Sequence, residues 1–465
     1  MLKIQKIMNI FTTNLSREIA KFFDKITIRA TVQAFFIAVA LFFENNLISF
    51  AASCTFGFLF SFIPIVMMIA VFLLHFLHAS SDTLVALIGT DSFFSNMISV
   101  KSVLSTIDSF HGVGRFELVM LFFMAWMARN FFNSISTGIH HIYKDKITPR
   151  PVMNQIVVFG EEIFVVIVSA FLLFLSGTTK NISNLPILFE IQSFISLHLP
   201  KFRYIISIVE IIKKPLTKFL IVSLPYIYIC AFCAVMYKGT GRERKIPAYL
   251  SFFSAVLCTT TFGITQKLMS IFININKYNV VYGVFSRLIV MLLGIYVFFI
   301  LFLFFAELMF VVQFFEELLL GELFLLQNRD RTSFFSRLRY DIFVLPDYLL
   351  KRNESVLNLS DGNILYTSGE KAEFAYYIVE GSVSVKHAKD ESILKQGCFF
   401  GEISVILGKN RDNTAKIRGK TTLIAIDKSR FYNLLHKNSF VSHKVLEQIC
   451  VYFSEITRQK SQILY

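Results

Sequence analysis

Six apolar stretches, each near or above the length that crosses a bilayer, lie within the first 315 residues and leave little choice of architecture. They run approximately over residues 47–77, 116–135, 152–175, 220–237, 246–271 and 284–312. A helix needs about 20 residues to traverse the hydrocarbon core, and only helices or closed barrels satisfy every backbone polar group there. With 55% of residues apolar and 54 phenylalanines, no single water-soluble core would hide so much surface, so lipid is the solvent. The fold class expected is an α-helical polytopic membrane domain of about six transmembrane helices. A shorter segment, 30–43, reads as an amphipathic helix along the interface. Beyond about residue 315 the composition becomes ordinary, and short strands separated by glycines imply a second domain of mixed α and β structure.

Charge orients the spans. The net charge of +14 would suit a nucleic-acid partner in a soluble protein, but here it follows the positive-inside rule and the pull of anionic lipid. The bilayer is therefore the partner expected, and nucleic acid is not. Lys3, Lys6, Arg17, Lys21, Lys25 and Arg29 crowd the N-terminal arm, Lys144, Lys146 and Arg150 follow the second span, and Lys238, Arg242, Arg244 and Lys245 follow the fourth. These loops alternate with stretches such as 78–114, where Lys101 is the only Lys or Arg. The pattern, with an even number of spans, places both termini in the cytosol. Residues 180–218 resist, since they should be external yet hold Lys201, Arg203, Lys213 and Lys214. The arm up to Arg29 is basic and amphipathic, without the compact apolar core of a cleavable signal.

Polar side chains inside spans are costly in hydrocarbon and so need a role. Arg129, Glu161, Glu162 and Glu307 all fall in the cytosolic half of the membrane. They read either as a buried or snorkelled ion pair that locks the bundle or as a proton- or cation-handling gate. Glu161 and Glu162 diverge by about 100° on a helix and cannot share a partner. Pro64 and Pro225 interrupt the first and fourth spans, each removing a backbone hydrogen bond. Six cysteines are scattered along the chain; Cys230 and Cys233 form a C-x-x-C inside an apolar run without a second pair, which reads as lipid-buried thiols. No metal site, P-loop or paired-carboxylate site stands out, His140-His141 reads as an interfacial feature, and an enzyme is not expected.

Short motifs in order along residues 30–320 carry a resemblance. Ala51-Ala52 is followed by Ser61 and Pro64, then by Asn133 with Ile142-Tyr143, and by Leu224-Pro225. Tyr282-Gly283 leads into Leu292, Leu293 and Tyr296, and Ala306-Glu307 closes the sixth span. This resembles the YihY/BrkB family, once labelled ribonuclease BN. Gly294 stands where that family usually has Trp, and Phe305 where a small residue is usual. The resemblance implies a six-helix inner-membrane protein and leaves its molecular activity open.

A second resemblance lies near the C-terminus. Gly362, Gly369 and Gly381 mark turns between short strands, with Glu380-Gly381-Ser382 read as a hairpin turn between strands 375–379 and 383–386. A strand at 421–426 and helices at 428–435 and 442–456 follow. Between them runs Phe400-Gly401-Glu402-Ile403-Ser404, then Arg411-Asp412-Asn413-Thr414-Ala415. This segment is similar to the phosphate-binding cassette of the cyclic-nucleotide-binding domain family, and the likeness spans roughly 345–460. It implies an antiparallel β-roll with flanking helices and a cyclic mononucleotide, cAMP or cGMP, as regulatory ligand. On that likeness Arg411 forks the phosphate, amides of Glu402, Ile403 and Ser404 assist, Gly401 allows close approach, Glu402 accepts from the ribose 2′-hydroxyl, and the C-terminal helix closes over the base. Asp412 stands where Ala, Ser or Thr is usual; its carboxylate would repel the phosphate or neutralise Arg411, with Thr414 as a substitute hydroxyl.

The domain organisation expected is a basic cytosolic arm (1–29), a membrane domain (30–315), a linker or helix (316–344) and a nucleotide-binding-like domain (345–465). The linker reads either as an extension of the last span with a basic stretch, 331–339, lying on the anionic leaflet, or as a solvated connector. The function expected is transport or permeability under messenger control. The alternative is a non-transporting scaffold with a sensory or degenerate nucleotide domain. The sequence leaves the oligomeric state open, a homo-oligomer among the alternatives.

Overall fold

The computed structural model describes residues 28–75, 115–143, 167, 223, 225–239, 246–272, 275–326, 333–351, 355–387 and 390–463. The chain divides into two compact units, one made of Phe42–Met309 and the other of Met1–Leu41 with Phe310–Tyr465.

In the first unit, helices α1 (Ile28–Glu44, shared with the second unit), α2 (Leu47–His75), α3 (Arg115–Tyr143), α4 (Ala248–Phe272) and α5 (Ile275–Gln313) are joined by a helical run at 225–239. Helix α2 packs along α3, where Gly57 lets the Phe131 backbone approach. Phenylalanines fill the interior: Phe131, Phe298, Phe299 and Phe302 meet edge to face or tilted, an arrangement that their quadrupoles favour. Tyr237 stacks on Phe302 at 4.7 Å and donates to its backbone carbonyl at 2.8 Å. Among the described residues two helices are long and apolar enough to cross a membrane, Ala248–Phe272 and Ile289–Gln313. A third joins them if Ile28–Glu44 and Leu47–Ser61, bent by 69°, form one broken span. The expected span at 152–175 lies outside the described residues, apart from a single helical position at 167.

The break in this bent pair falls at Asn45-Asn46, where Asn46 adopts φ 51°, a left-handed conformation that asparagine tolerates. It does not fall at Pro64, because α2 stays helical from Leu47 to His75. Pro225 is exposed at the head of the helical run 225–239.

The second unit holds α6 (Phe315–Leu326), α7 (Phe334–Phe343), α8 (Asp347–Leu350) and the C-terminal domain. That domain is a six-stranded antiparallel sheet of β1 (Val356–Leu359), β2 (Ile364–Tyr366), β3 (Phe374–His387), β4 (Asp390–Lys395), β5 (Phe399–Phe400) and β6 (Thr414–Asp427). Helix α9 (Glu402–Leu407) sits between β5 and β6, and α10 (Lys428–Lys437) and α11 (Ser439–Ile463) follow. The sheet runs β1-β6-β3-β4, with β2 added to β6 and β5 to β3. Along β6, buried Ala415 and Ile417 alternate with exposed Lys416 and Arg418, the period-two pattern that commits one face to the core. Tyr366, Tyr376, Ile378, Val383, Phe400, Ile417 and Leu423 build that core.

One expectation is corrected here. Residues 375–386 are not two strands around a hairpin; β3 is continuous, and Glu380-Gly381-Ser382 forms a bulge where the register against β6 shifts. Gly381 (φ 94°) lies so close to the Lys420 carbonyl that a Cβ would stand 2.7 Å from it, and the Thr421 hydroxyl fills the irregular gap by bonding both Ser382 N and Ser382 O. The linker, read either as an extension of the last span or as a solvated connector, is helical and packed over residues 315–326. Only Phe314 separates α5 from α6, and α6 packs on α10 and α11, its Phe324 meeting Phe399 of β5 and Phe431 of α10.

Ion pairs fix this packing. Glu316 faces Arg430 at 3.6 Å and Glu317 faces Lys437 at 3.4 Å. Arg339, in the stretch read as lipid-facing, instead turns inward to the buried Glu322 at 2.5 Å. From the N-terminal limb of α1, Arg29 pairs with Asp347 and Gln33 donates to the Ile342 carbonyl at 2.8 Å. Removing one partner of a buried pair strands the other charge at a cost of about 3 kcal/mol. Arg339→Ala should therefore lower the unfolding temperature of the detergent-solubilised protein and raise amide exchange over α6 and α7. Unchanged exchange there would show that solvent already screens Glu322.

Candidate functional site

The segment that joins β5 to β6 through α9 holds the residues singled out in the sequence. Gly401 occupies φ 76°, ψ 3° between β5 and α9, a conformation open to glycine and strained for other residues. A Cβ there would also lie 2.6 Å from Arg411 Nη1. Glu402 opens α9 and is buried; burial pushes its carboxyl above the usual carboxylate range, partly opposed by a backbone amide and by Arg411. Ile403 and Ser404 follow, half-buried, and the Ser404 carbonyl accepts from the Lys409 amide at 3.0 Å.

Arg411 is the centre of this arrangement and is only 3% exposed. Its Nη1 donates to the Gly401 carbonyl at 2.7 Å and its Nη2 donates to the Phe374 carbonyl. The guanidinium lies over the Tyr366 ring, 4.2 Å from its centroid, and 5.8 Å from that of Tyr376. Those two rings stack at 6.0 Å, and Tyr376 stacks in turn on Phe400 at 5.4 Å. Planar, weakly hydrated guanidinium suits such an aromatic bed. The Arg411 backbone is pinned as well, exchanging hydrogen bonds with Glu370 and Gly369. The fork that the resemblance assigns to a phosphate is thus spent on the protein's own carbonyls.

Asp412 is exposed and does not face Arg411's charge as a neutralising partner; Tyr452, on α11, donates its hydroxyl to the Asp412 carboxylate at 2.6 Å. That hydrogen bond, with some burial, pushes the Tyr452 hydroxyl up to about 12. One residue along α11, Phe453 lies under the Lys409 ammonium at 5.6 Å. The carboxylate at the unusual position therefore anchors the C-terminal helix to the cassette. Thr414 is spoken for locally, accepting from the Ser368 amide at 3.1 Å. Tyr366, Tyr376 and Tyr452 were not legible as site residues; their roles come from strand pairing and helix docking far from the motif.

The polar residues of the membrane spans are not shown as a single cluster. Arg129 lies 5.9 Å from the Trp126 ring. Glu307 is fully buried and accepts from Asn45 Nδ2 at 3.4 Å, beside the break between α1 and α2. Glu161 and Glu162 lie outside the described residues. All six cysteines are free. Among the described residues no group of three or more His, Cys, Asp or Glu is placed to hold a metal ion.

The Tyr452–Asp412 hydrogen bond is exposed, so its loss should cost about 1 kcal/mol. Tyr452→Phe is expected to raise amide exchange in the second half of α11 about fivefold and leave the β-roll strands unchanged. Equal protection in the variant would show that the helix is held by other contacts.

Comparison with known proteins agrees with this layout. The family model for virulence factor BrkB matches residues 24–318, more than half of the chain. The model for the cyclic nucleotide-binding domain matches 356–438. A candidate potassium channel protein of Rhodopseudomonas palustris is 28% identical over 88 residues, 18% of this chain; the chain spans only 21% of that protein's length. Among solved structures, the Thermus thermophilus catabolite activator protein is 20% identical, with 25% of this chain and 57% of that chain covered and a TM-score of 0.22. The cGMP-bound form of the EAL enzyme Bd1971 is 20% identical over 21% of this chain and 27% of that chain, with a TM-score of 0.19.

Proposed function

This chain belongs to the BrkB family, with a cyclic nucleotide-binding domain behind the membrane region, and we propose that it is a permeability or transport protein gated by a cyclic mononucleotide. The observation that carries this reading is the joining of the two domains. The last apolar helix, α5, passes through Phe314 alone into α6, and α6 is packed on α10 and α11, the helices that end the nucleotide-binding domain, and ion-paired to α10. A ligand that repositions α10 or α11 acts on α6 directly. A coupling of about 1–3 kcal/mol changes activity several-fold to about a hundredfold.

In this reading the membrane domain crosses six times, with both termini in the cytosol of a bacterial inner membrane. The Asn45-Asn46 break with buried Glu307 beside it supports a polar path through the bundle, since non-helical backbone at membrane depth is tolerated where it lines a cavity or is buried in protein. The relative named for potassium passage supports an ion as the first cargo to assay. The chain does no covalent chemistry in this account.

A second reading is favoured by Arg411. With both terminal nitrogens already bonded to Gly401 and Phe374, the domain is equally built to stand without a ligand, as a structural module of a non-transporting scaffold.

The deciding experiment is calorimetric titration of the full-length protein in nanodiscs with cAMP and cGMP, followed by potassium flux in proteoliposomes with and without the nucleotide that binds. Saturable micromolar binding together with a several-fold change in flux is the expected result. Flux without nucleotide dependence would remove the gating, and absence of both binding and flux would leave the scaffold. Arg411→Ala is a poor control, because it also removes a strut of the fold. Glu402→Gln keeps the shape of its side chain and should weaken binding at unchanged unfolding temperature.

A further inference from the structure

A buried polar atom without a partner is rare in folded proteins, and each instance marks a place where water, an ion or a ligand belongs. Two such atoms belong to neighbouring side chains of the C-terminal domain, Tyr366 Oη and Arg411 Nε. Tyr366 is 4% exposed, closes β2, and lies beneath the Arg411 guanidinium. Both groups reach the same spot: a Cβ built on Gly401 would lie 3.4 Å from Arg411 Cζ and 3.6 Å from Tyr366 Oη. The Tyr366 hydroxyl therefore sits at the turn that opens the cassette, although β2 precedes that turn by more than thirty positions in the chain.

The protein had a simpler choice at this position. Phenylalanine would give the same stack on Tyr376 and the same bed for Arg411 without burying a hydroxyl that gains no partner. Burial pushes that hydroxyl up to about 12, against the lowering effect of Arg411, so it keeps its proton and is a donor across the physiological range.

We propose that Tyr366 is a phosphate-binding residue of the messenger site, donating its hydroxyl, beside Arg411 Nε, to phosphate oxygens. This rests on the reading that the domain binds a cyclic mononucleotide. The anion takes the two donors that the protein leaves unsatisfied, while Nη2 of Arg411 keeps the Phe374 carbonyl. Access requires the turn at Gly401 to lift, and one side-chain hydrogen bond, from Arg411 Nη1, restrains that turn there.

The test compares wild type with Tyr366→Phe in the full-length protein in nanodiscs, titrated with cAMP, cGMP and inorganic phosphate, and with the unfolding temperature of each unliganded protein measured in parallel. The variant should unfold at the same or a higher temperature, since it removes a buried hydroxyl that bonds nothing. Its affinity for the nucleotide that wild type binds should fall about tenfold or more. If phosphate alone competes with nucleotide in wild type and competes less well in the variant, the contact is to the phosphate group itself. Equal affinity in the two proteins would overturn the assignment and leave a buried water as the hydroxyl's partner. A loss of affinity accompanied by a drop in unfolding temperature would also overturn it, because the hydroxyl would then be structural. If wild type binds no nucleotide but binds inorganic phosphate, and the variant binds it less well, Tyr366 stands as a phosphate ligand and the messenger reading fails. Binding of neither by wild type would end both.

Discussion

Arg411 ties together three parts of the C-terminal domain that are remote in sequence. Its guanidinium rests on Tyr366 of β2, reaches the Phe374 carbonyl where β3 starts, and holds the Gly401 carbonyl where the cassette turns into α9. A buried charge survives only where its donors are met, and here two backbone carbonyls and an aromatic bed meet most of them. The geometry of Gly401 follows from this contact, since a side chain there would collide with Nη1. Asp412 and Thr414 follow too: with the backbone of Arg411 pinned to Glu370 and Gly369, Asp412 is free to anchor α11 and Thr414 to cap the turn at Ser368.

Helix α6 makes the corresponding link toward the membrane helices. Gly321 is what lets it lie against the junction of α10 and α11, because a Cβ there would stand 3.0 Å from Asn438 Nδ2 and 3.3 Å from a Val441 methyl. Asn438 is buried at that junction, breaks the helix with an extended backbone, and caps α11 by accepting from the Val441 amide at 3.2 Å. Lys437 adds a contact in the same place, its ammonium 3.3 Å from the Phe314 ring centroid. So the junction of α10 and α11 and the single residue between α5 and α6 are in touch. Close-packed contacts of this kind transmit displacement because they have no slack.

Periodicity and local turn chemistry made much of this fold legible in the sequence. The long apolar runs gave α2, α4 and α5, and the glycines at 362 and 369 gave turns with positive φ. The Gly-Glu to Arg spacing located the cassette. What stayed hidden depends on pairing between distant segments. Gly381 reads as a hairpin turn until Thr421 is found opposite it. Arg339 reads as lipid-facing until Glu322, buried on α6, is seen to need it. Tyr452 gives no signal in a helix of ordinary composition, and Asp412 looks like a defect until the two are joined.

The same contacts set the scale of any ligand affinity. If a phosphate drew the Arg411 fork away from Gly401 and Phe374, it would have to replace hydrogen bonds from a charged donor, each of about 1.5–3 kcal/mol. A binding-competent cassette that is only fractionally populated lowers the apparent affinity by that fraction. In a domain restrained in this way, part of the intrinsic binding energy would go into changing its shape. An anion that instead takes Arg411 Nε and the Tyr366 hydroxyl, both unsatisfied in the absence of ligand, breaks only the hold on Gly401. Affinity is then kept at the cost of one hydrogen bond.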